Sequence, residues 1–191
     1  MRPGSRVSGG GTAYHVMVWR ADRRAILRDD RERDDLVECV AALARERRLA
    51  VYAWALMPNH FHLLVGTASD SIEDSIRWLL SAISRSREQA RVLVPDRYDS
   101  IPCTDRRHFI EVVRYIHLNP LQGGVVPHLD DLDDYRYTGH SALLSTVPRD
   151  WQSTEEVLAR FGRNPGWARA AYRKFVADGV LLNAARPAKR G

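Results

Sequence analysis

Two apolar runs joined by a three-residue link constrain this chain most. Leu49 to Leu56 is apolar throughout, and His60 to Val65 follows directly after Met57-Pro58-Asn59. Each run is too short for a helix and carries aromatic or β-branched residues, so both read as strands. Proline and asparagine stop a ladder, and so short a link leaves an antiparallel pairing. The second strand holds His60 and His62 on either side of Phe61. Positions i and i+2 of a strand point to the same side. The sequence therefore commits two imidazoles to one face of a sheet and turns Phe61 into the core behind them.

Around this hairpin the hydrophobic period alternates between two and about 3.6 residues. Tyr14 to Trp19 alternates and reads as a first strand. Asp29 or Asp30 caps a helix to about Arg48, with Leu36, Val40 and Leu43 on one face. Asp70 with Glu73 resembles a capping box. It opens a helix through Arg87 whose core face is Ile72, Ile76, Leu79, Leu80 and Ile83. Arg97 to Cys103 is a fourth strand. Thr104 then caps a helix that ends at Asn119-Pro120 and buries Phe109, Val112, Val113 and Ile116. Gly123-Gly124 breaks the chain. Short helices follow, the last around Trp167 to Ala177, with Trp151 and Trp167 expected in their core. The order βαββαβ predicts an α+β, ferredoxin-like fold: an antiparallel sheet with two helices on one face. A further helix carrying Tyr115 and a short helical C-terminal extension are added to it. The expected organisation is a mobile Gly/Ser/Arg-rich start (1–12), a main domain (13–126), the extension (127–181) and a basic tail (182–191).

Composition narrows the class. The chain has 191 residues, 45% hydrophobic and 28% charged, which is ordinary globular usage. Two cysteines, Cys39 and Cys103, exclude a disulfide scaffold or a Cys-rich zinc module. No apolar run reaches the ~18 residues of a membrane span. The first residues have no apolar stretch of the signal-peptide kind. The expected location is cytoplasmic. Lys+Arg is 29 against Asp+Glu 24, giving +5 and an isoelectric point near 9.5. Only Lys174 and Lys189 are lysines, so arginine supplies the rest. Its planar fork matches phosphate oxygens, which fits a polyanionic partner. A GC-rich genome that writes arginine for lysine accounts for the same skew. The candidate phosphate contacts are Arg97, Arg106, Arg107, Arg114, Lys189 and Arg190, and a merely solvated face is the alternative.

The chemistry rests on four side chains. His60 and His62 side by side suit one divalent cation with positions left open for substrate, and equally suit a pair of structural histidines. Tyr115 and Asn119 are four apart on one helix and share a face at the edge of its apolar stripe. A tyrosine there borders a groove or simply wets its hydroxyl, and Asn119 either adds an amide oxygen or ends the helix. Taken together, a cation on His60, His62 and Asn119 would polarise a phosphate that Tyr115 attacks. A neutral phenol is a poor nucleophile, so this needs a cation and a proton acceptor nearby. His15 is expected in the core or on a sheet face rather than as a ligand, and His108 in solvent.

The run MPNHFHLLV (57–65), followed by RYIHLNPLQGGVV (114–126), resembles the single-tyrosine HUH transposases, and among them the REP-associated tyrosine transposases of bacteria. YHVMVWRADRRAIL (14–27) resembles their first strand and turn. YRYTGHSALL (135–144), VLARFG and ARAAYRKFVADG, ending at Gly179, resemble the C-terminal part of one subgroup. The resemblance implies cleavage of single-stranded DNA beside folded hairpins with Mg²⁺ or Mn²⁺, without ATP. It implies His60, His62 and Asn119 as metal ligands and Tyr115 as nucleophile. The product would be a 5′-phosphotyrosine and a free 3′-OH, resolved by a second strand transfer. Location would be cytoplasmic and nucleoid-associated, and the protein a monomer or homodimer.

The stretch RVLVPDRYDS (91–100) departs from that family. The usual aromatic-glutamine pair is absent, and Asp99 stands where lysine is usual. An aspartate opposes a phosphate, so the alternative is a cleavage-deficient or domesticated hairpin-DNA-binding protein. A zinc hydrolase of small substrates ranks behind both, since no third His or Glu ligand is evident.

Overall fold

The computed structural model describes residues 12–22, 24–46, 49–67, 71–87 and 97–184. The strands are β1 (Ala13–Trp19), β2 (Ala50–Leu56), β3 (His60–Gly66) and β4 (Arg97–Pro102). The helices are α1 (Asp30–Glu46), α2 (Ile72–Arg87), α3 (Arg106–Gln122), α4 (Leu129–Asp133), α5 (Gly139–Leu144), α6 (Thr154–Leu158) and α7 (Pro165–Ala184). The strands form one antiparallel sheet in the order β2-β3-β1-β4, the ferredoxin-like arrangement expected. The proline turn closes the central hairpin: Met57 N–H donates to the His60 carbonyl at 2.9 Å. The Pro58 carbonyl accepts from the N–H groups of Ile26 and Leu27 at 2.7 and 3.1 Å. The turn that delivers Asn59 and His60 is thus tied to the chain that leaves β1.

Both faces of β2 and β3 are covered, because strands this apolar leave no face for water. On one face Leu36, Val40 and Leu43 of α1 and Ile76, Leu79 and Ile83 of α2 pack on Val16, Val18, Phe61, Leu63 and Val65. On the other, Phe109, Val112, Val113 and Ile116 of α3 pack on Ala53, Ala55 and Leu64, joined by Tyr172 and Val176 of α7. Each fully buried Leu or Phe side chain contributes about 1.5–3 kcal/mol. A bulge between Val51 and Ala53 puts Tyr52 and Ala53 on the α3 side in succession. That single extra residue keeps Trp54 and Leu56 in phase with the α1/α2 side. Gly66 makes room for the bulge, since a Cβ there would lie 2.7 Å from the Tyr52 hydroxyl.

The outer edge of β2 is closed by the segment after α4. Leu56 N–H donates to the Tyr137 carbonyl at 3.0 Å, and Ser153 N–H to the Val51 carbonyl at 2.9 Å. Trp54 Nε1 donates to Gln152 Oε1 at 2.8 Å in full burial. A covered edge cannot template pairing with a second chain.

Several local expectations shift. Helix α2 begins at Ile72, so its cap is Ser71, whose hydroxyl accepts from Asp74 N–H at 3.3 Å; Asp70 lies outside the described residues. Helix α3 is capped by Asp105 rather than Thr104, through a 2.9 Å bond from His108 N–H. It does not end at Asn119-Pro120 but runs on to Gln122 with Pro120 in its last turn. There the missing N–H costs only one ladder bond, and the Pro120 carbonyl still accepts from Val125 N–H at 2.8 Å. Trp151 packs half-buried on Trp54, ring centroids 5.4 Å apart. Trp167 is 79% exposed instead of in the core. The buried line of α7 runs through Ala168, Tyr172 and Val176 at a spacing of four, and Trp167 stands one residue off it.

Candidate active site

Three histidines meet on the α3 side of the sheet. In the β1–β3 register Met17 faces His62 and Trp19 faces His60. His15, two residues before Met17, is therefore diagonal to His62 on the same face. The His60 and His62 rings lie 4.9 Å apart between centroids, and His15 stacks on His62 at 5.2 Å. Phe61 points the opposite way into the α1/α2 core. Helix α3 crosses this face and sets the Tyr115 ring edge-on to His62 at 5.6 Å and to His15 at 5.7 Å. Tyr115 itself is 47% exposed, so about half of it is open to solvent. Asn119 lies one turn on and donates from Nδ2 to the Tyr115 carbonyl at 2.8 Å. The four side chains singled out by the sequence are thus assembled, and His15, expected in the core or on a sheet face, joins them. The alternation of β1 could have flagged His15, but only once its register against β3 was known.

Electrostatics keep this cluster uncharged. Burial, then the repulsion of His15 and His60, pushes the His62 pKa down to about 3, against the pull of the Asn119 amide beside it. Burial, then the nearby His108, lowers His15 to about 4. Both rings are neutral near pH 7 and keep a lone pair. His62 Nδ1 lies 3.0 Å from His15 Nε2. His60 Nδ1 lies 2.7 Å from Asn59 Oδ1, and since that oxygen only accepts, the ring nitrogen donates. His62 Nε2 is buried and has no hydrogen-bond partner among the described residues. His62 is fully enclosed, between Met17 and Ala55 on the neighbouring strands and among the rings of His15, His60 and Tyr115. A buried imidazole nitrogen without a hydrogen-bond partner, under a half-covered tyrosine, fits a cation ligand when it carries no proton. Among the described residues no group of three or more His, Cys, Asp or Glu could hold a metal ion. A cation here would rest on two imidazoles and the Asn119 amide, completed by oxygen from water or substrate.

The basic residues are scattered. Arg97 is exposed and pairs with Trp19, which also faces His60, so Arg97 shares the site's face two strands away. Asp99 pairs with Met17 and shares that face too. Arg106 and Arg107 are exposed on the first turn of α3. Arg114 is not at the site. Its guanidinium stacks 4.3 Å over the Phe175 ring and pairs with Glu111, which holds α7 against α3. Lys189, Arg190 and residues 91–96 lie outside the described residues. His108 is half-buried rather than solvated, and its Nδ1 accepts from Thr104 N–H at 3.3 Å.

Two residues past Tyr115, His117 turns into the core and starts a buried polar chain. His117 Nδ1 and His140 Nδ1 each lie 2.7 Å from the Tyr172 hydroxyl. His140 Nε2 lies 2.9 Å from Asp133, which also accepts from Arg173 Nε at 2.6 Å. Burial would raise the Asp133 pKa, but the bonds from His140 and Arg173 outweigh it and hold the carboxylate low. An ionised Asp133 makes His140 Nε2 the donor. The Tyr172 O–H then donates to His140 Nδ1 and accepts from His117 Nδ1. The chain ties α3 to α4, α5 and α7, and Gly139 lets it close: a Cβ there would lie 2.9 Å from His117 Nε2.

A tyrosine is thus set over paired strand histidines on one face of a ferredoxin-like sheet. A family model described as transposase, IS200 like, matches residues 10–119, more than half the chain and a span that includes all of these side chains. The protein belongs to the IS200-like transposase family and is a transposase. No helix among the described residues is long and apolar enough to cross a membrane. The solved structure of a REP-associated tyrosine transposase bound to a REP hairpin has the same fold. It superposes with a TM-score of 0.60 at 17% identity, over 80% of this chain and 92% of its own. A putative transposase from Deinococcus radiodurans R1 aligns at 23% identity over 61% of this chain and 95% of its own, with a TM-score of 0.45. No curated protein matches the chain.

Proposed function

We propose that this transposase cuts and rejoins single-stranded DNA beside a hairpin, with Tyr115 as nucleophile and His60, His62 and Asn119 as ligands of Mg²⁺ or Mn²⁺. The observation that carries the reading is that Tyr115, from a distant helix, meets the paired strand histidines, with His60 and His62 4.9 Å apart and Tyr115 5.6 Å from His62. The Tyr115 hydroxyl oxygen attacks the phosphorus in line. A new O–P bond forms as the bond from phosphorus to the 3′ oxygen breaks. The 5′ end stays on the tyrosine, the phenolic proton passes to water, and water returns a proton to the departing 3′ oxygen, which leaves as a 3′-OH. A cation held by His60, His62 and Asn119 would polarise the scissile phosphate. Asn119, bonded to the Tyr115 carbonyl, holds the turn of α3 that presents the tyrosine. A later 3′-OH reverses the step, so no nucleotide cofactor is required. The hairpin partner follows the similar protein that was solved with a REP hairpin. Arg97, Arg106 and Arg107 are the proposed phosphate contacts.

The test is end-labelled single-stranded hairpin DNA with Mn²⁺. The natural protein should form a covalent adduct, and Tyr115→Phe should bind the DNA but form none. An adduct from the Phe variant would remove Tyr115 from the role of nucleophile. Asp99 on the site's face favours a second reading, a hairpin-binding protein that no longer cuts. Binding without an adduct in the natural protein would select it.

A further inference from the structure

We infer that His15 is a positioning residue: it accepts a hydrogen bond from His62 Nδ1 and so presents the unprotonated His62 Nε2 to the cation. This deepens the proposed function and rests on its assignment of His62 as a ligand. A neutral imidazole carries its proton on one nitrogen, and the bond made by one nitrogen decides which lone pair the other offers. His62 Nδ1 lies 3.0 Å from His15 Nε2, while His62 Nε2 is buried without a partner among the described residues. Had His62 carried its proton on Nε2, that N–H would be buried with no acceptor at hydrogen-bond distance among the described residues and only the Asn119 amide beside the ring, at a cost of up to about 1–3 kcal/mol. With the proton on Nδ1, the donor is satisfied by His15 and only a lone pair is left for a ligand. His15 then carries its own proton on Nδ1.

His60 obeys the same rule with a different partner. Its Nδ1 donates to Asn59 Oδ1 at 2.7 Å. Both strand histidines are therefore anchored through Nδ1, one by the turn before β3 and the other by β1. His15 is not itself a third ligand: its Nε2 is spent on His62, and no three-residue metal group forms among the described residues. Its stack on His62 at 5.2 Å and its edge contact with Tyr115 at 5.7 Å also set the ring plane. Ligand-orienting partners of this kind are worth about 10–100-fold in metal affinity.

The experiment reads the proton directly. Long-range ¹⁵N–¹H correlation spectra of the full chain, without metal, report which nitrogen of His62 is protonated. Mn²⁺ binding is then measured by titration and by the broadening of the His60 and His62 signals. The natural protein should show His62 protonated on Nδ1. His15→Leu should shift His62 toward the Nε2-protonated form and weaken Mn²⁺ about 10–100-fold. His15→Gln, whose amide oxygen accepts the same bond, should recover most of the affinity. A proton on His62 Nε2 in the natural protein overturns the inference without any variant. So does His15→Leu with both tautomer and Mn²⁺ affinity unchanged. If His62 holds its proton on Nδ1 but Mn²⁺ leaves the His60 and His62 signals sharp, the ligand assignment fails and the role of His15 fails with it.

Discussion

Tyr172→Phe isolates the polar chain behind the tyrosine helix. The ring is fully buried and stays in place, packed on Phe161 at 5.5 Å and on His140 at 5.3 Å, so the change removes one oxygen and little packing. That oxygen bonds two buried imidazole nitrogens, on His117 and His140, at 2.7 Å each. Removing it leaves His117 a donor and His140 an acceptor without partners. A buried polar group left unpaired costs about 1–3 kcal/mol, so the pair predicts a loss of about 2–6 kcal/mol. Equilibrium urea unfolding followed by tryptophan fluorescence measures it, with the midpoint falling and the slope unchanged. A loss below about 1 kcal/mol would refute the reasoning. It would mean that the two histidines exchange to other partners, or that water replaces the hydroxyl at no cost.

Acid should destabilise the fold before its carboxylates titrate. Burial lowers the pKa of His62 to about 3 and of His15 to about 4, and also lowers His117 and His140 below the ordinary 6.5. The unfolded chain then binds protons that the folded chain refuses. Stability is complete above about pH 7 and is lost as pH falls below 6.5, by up to about 1.4 kcal/mol per histidine per pH unit. A urea midpoint unchanged from pH 7.5 to 5 contradicts this. In the proposed DNA complex, affinity should fall steeply with salt, and changing Arg106 and Arg107 together to alanine should reduce the log–log slope by about 1 to 2. An unchanged slope removes both from the phosphate contacts. Tyr115→Phe should unfold within about 1 kcal/mol of the natural protein, because its ring contacts persist.

Relations within one element were legible in the sequence. The i, i+2 rule of a strand put His60 and His62 together and Phe61 behind them, and the i, i+4 rule of a helix put Tyr115 beside Asn119. The apolar period separated six of the principal elements in order, because burial of one face is written in local spacing. The register of β1 against β3 was not, since register is set by how whole strands dock. That register alone brings His15, forty-seven residues away in the chain, to His62. Arg114 and Trp167 show the same limit. One looked like a phosphate contact and is held over Phe175, and the other looked like core and faces water. Which side of α3 or α7 is covered depends on where the other lies. The polar chain from His117 through Tyr172 and His140 to Asp133 joins four helices, and no local pattern could announce it. The sequence determined which residues can do chemistry and which neighbours they keep along the chain. The tertiary structure decided which of them touch, because hydrogen-bond partners and burial are properties of elements packed together.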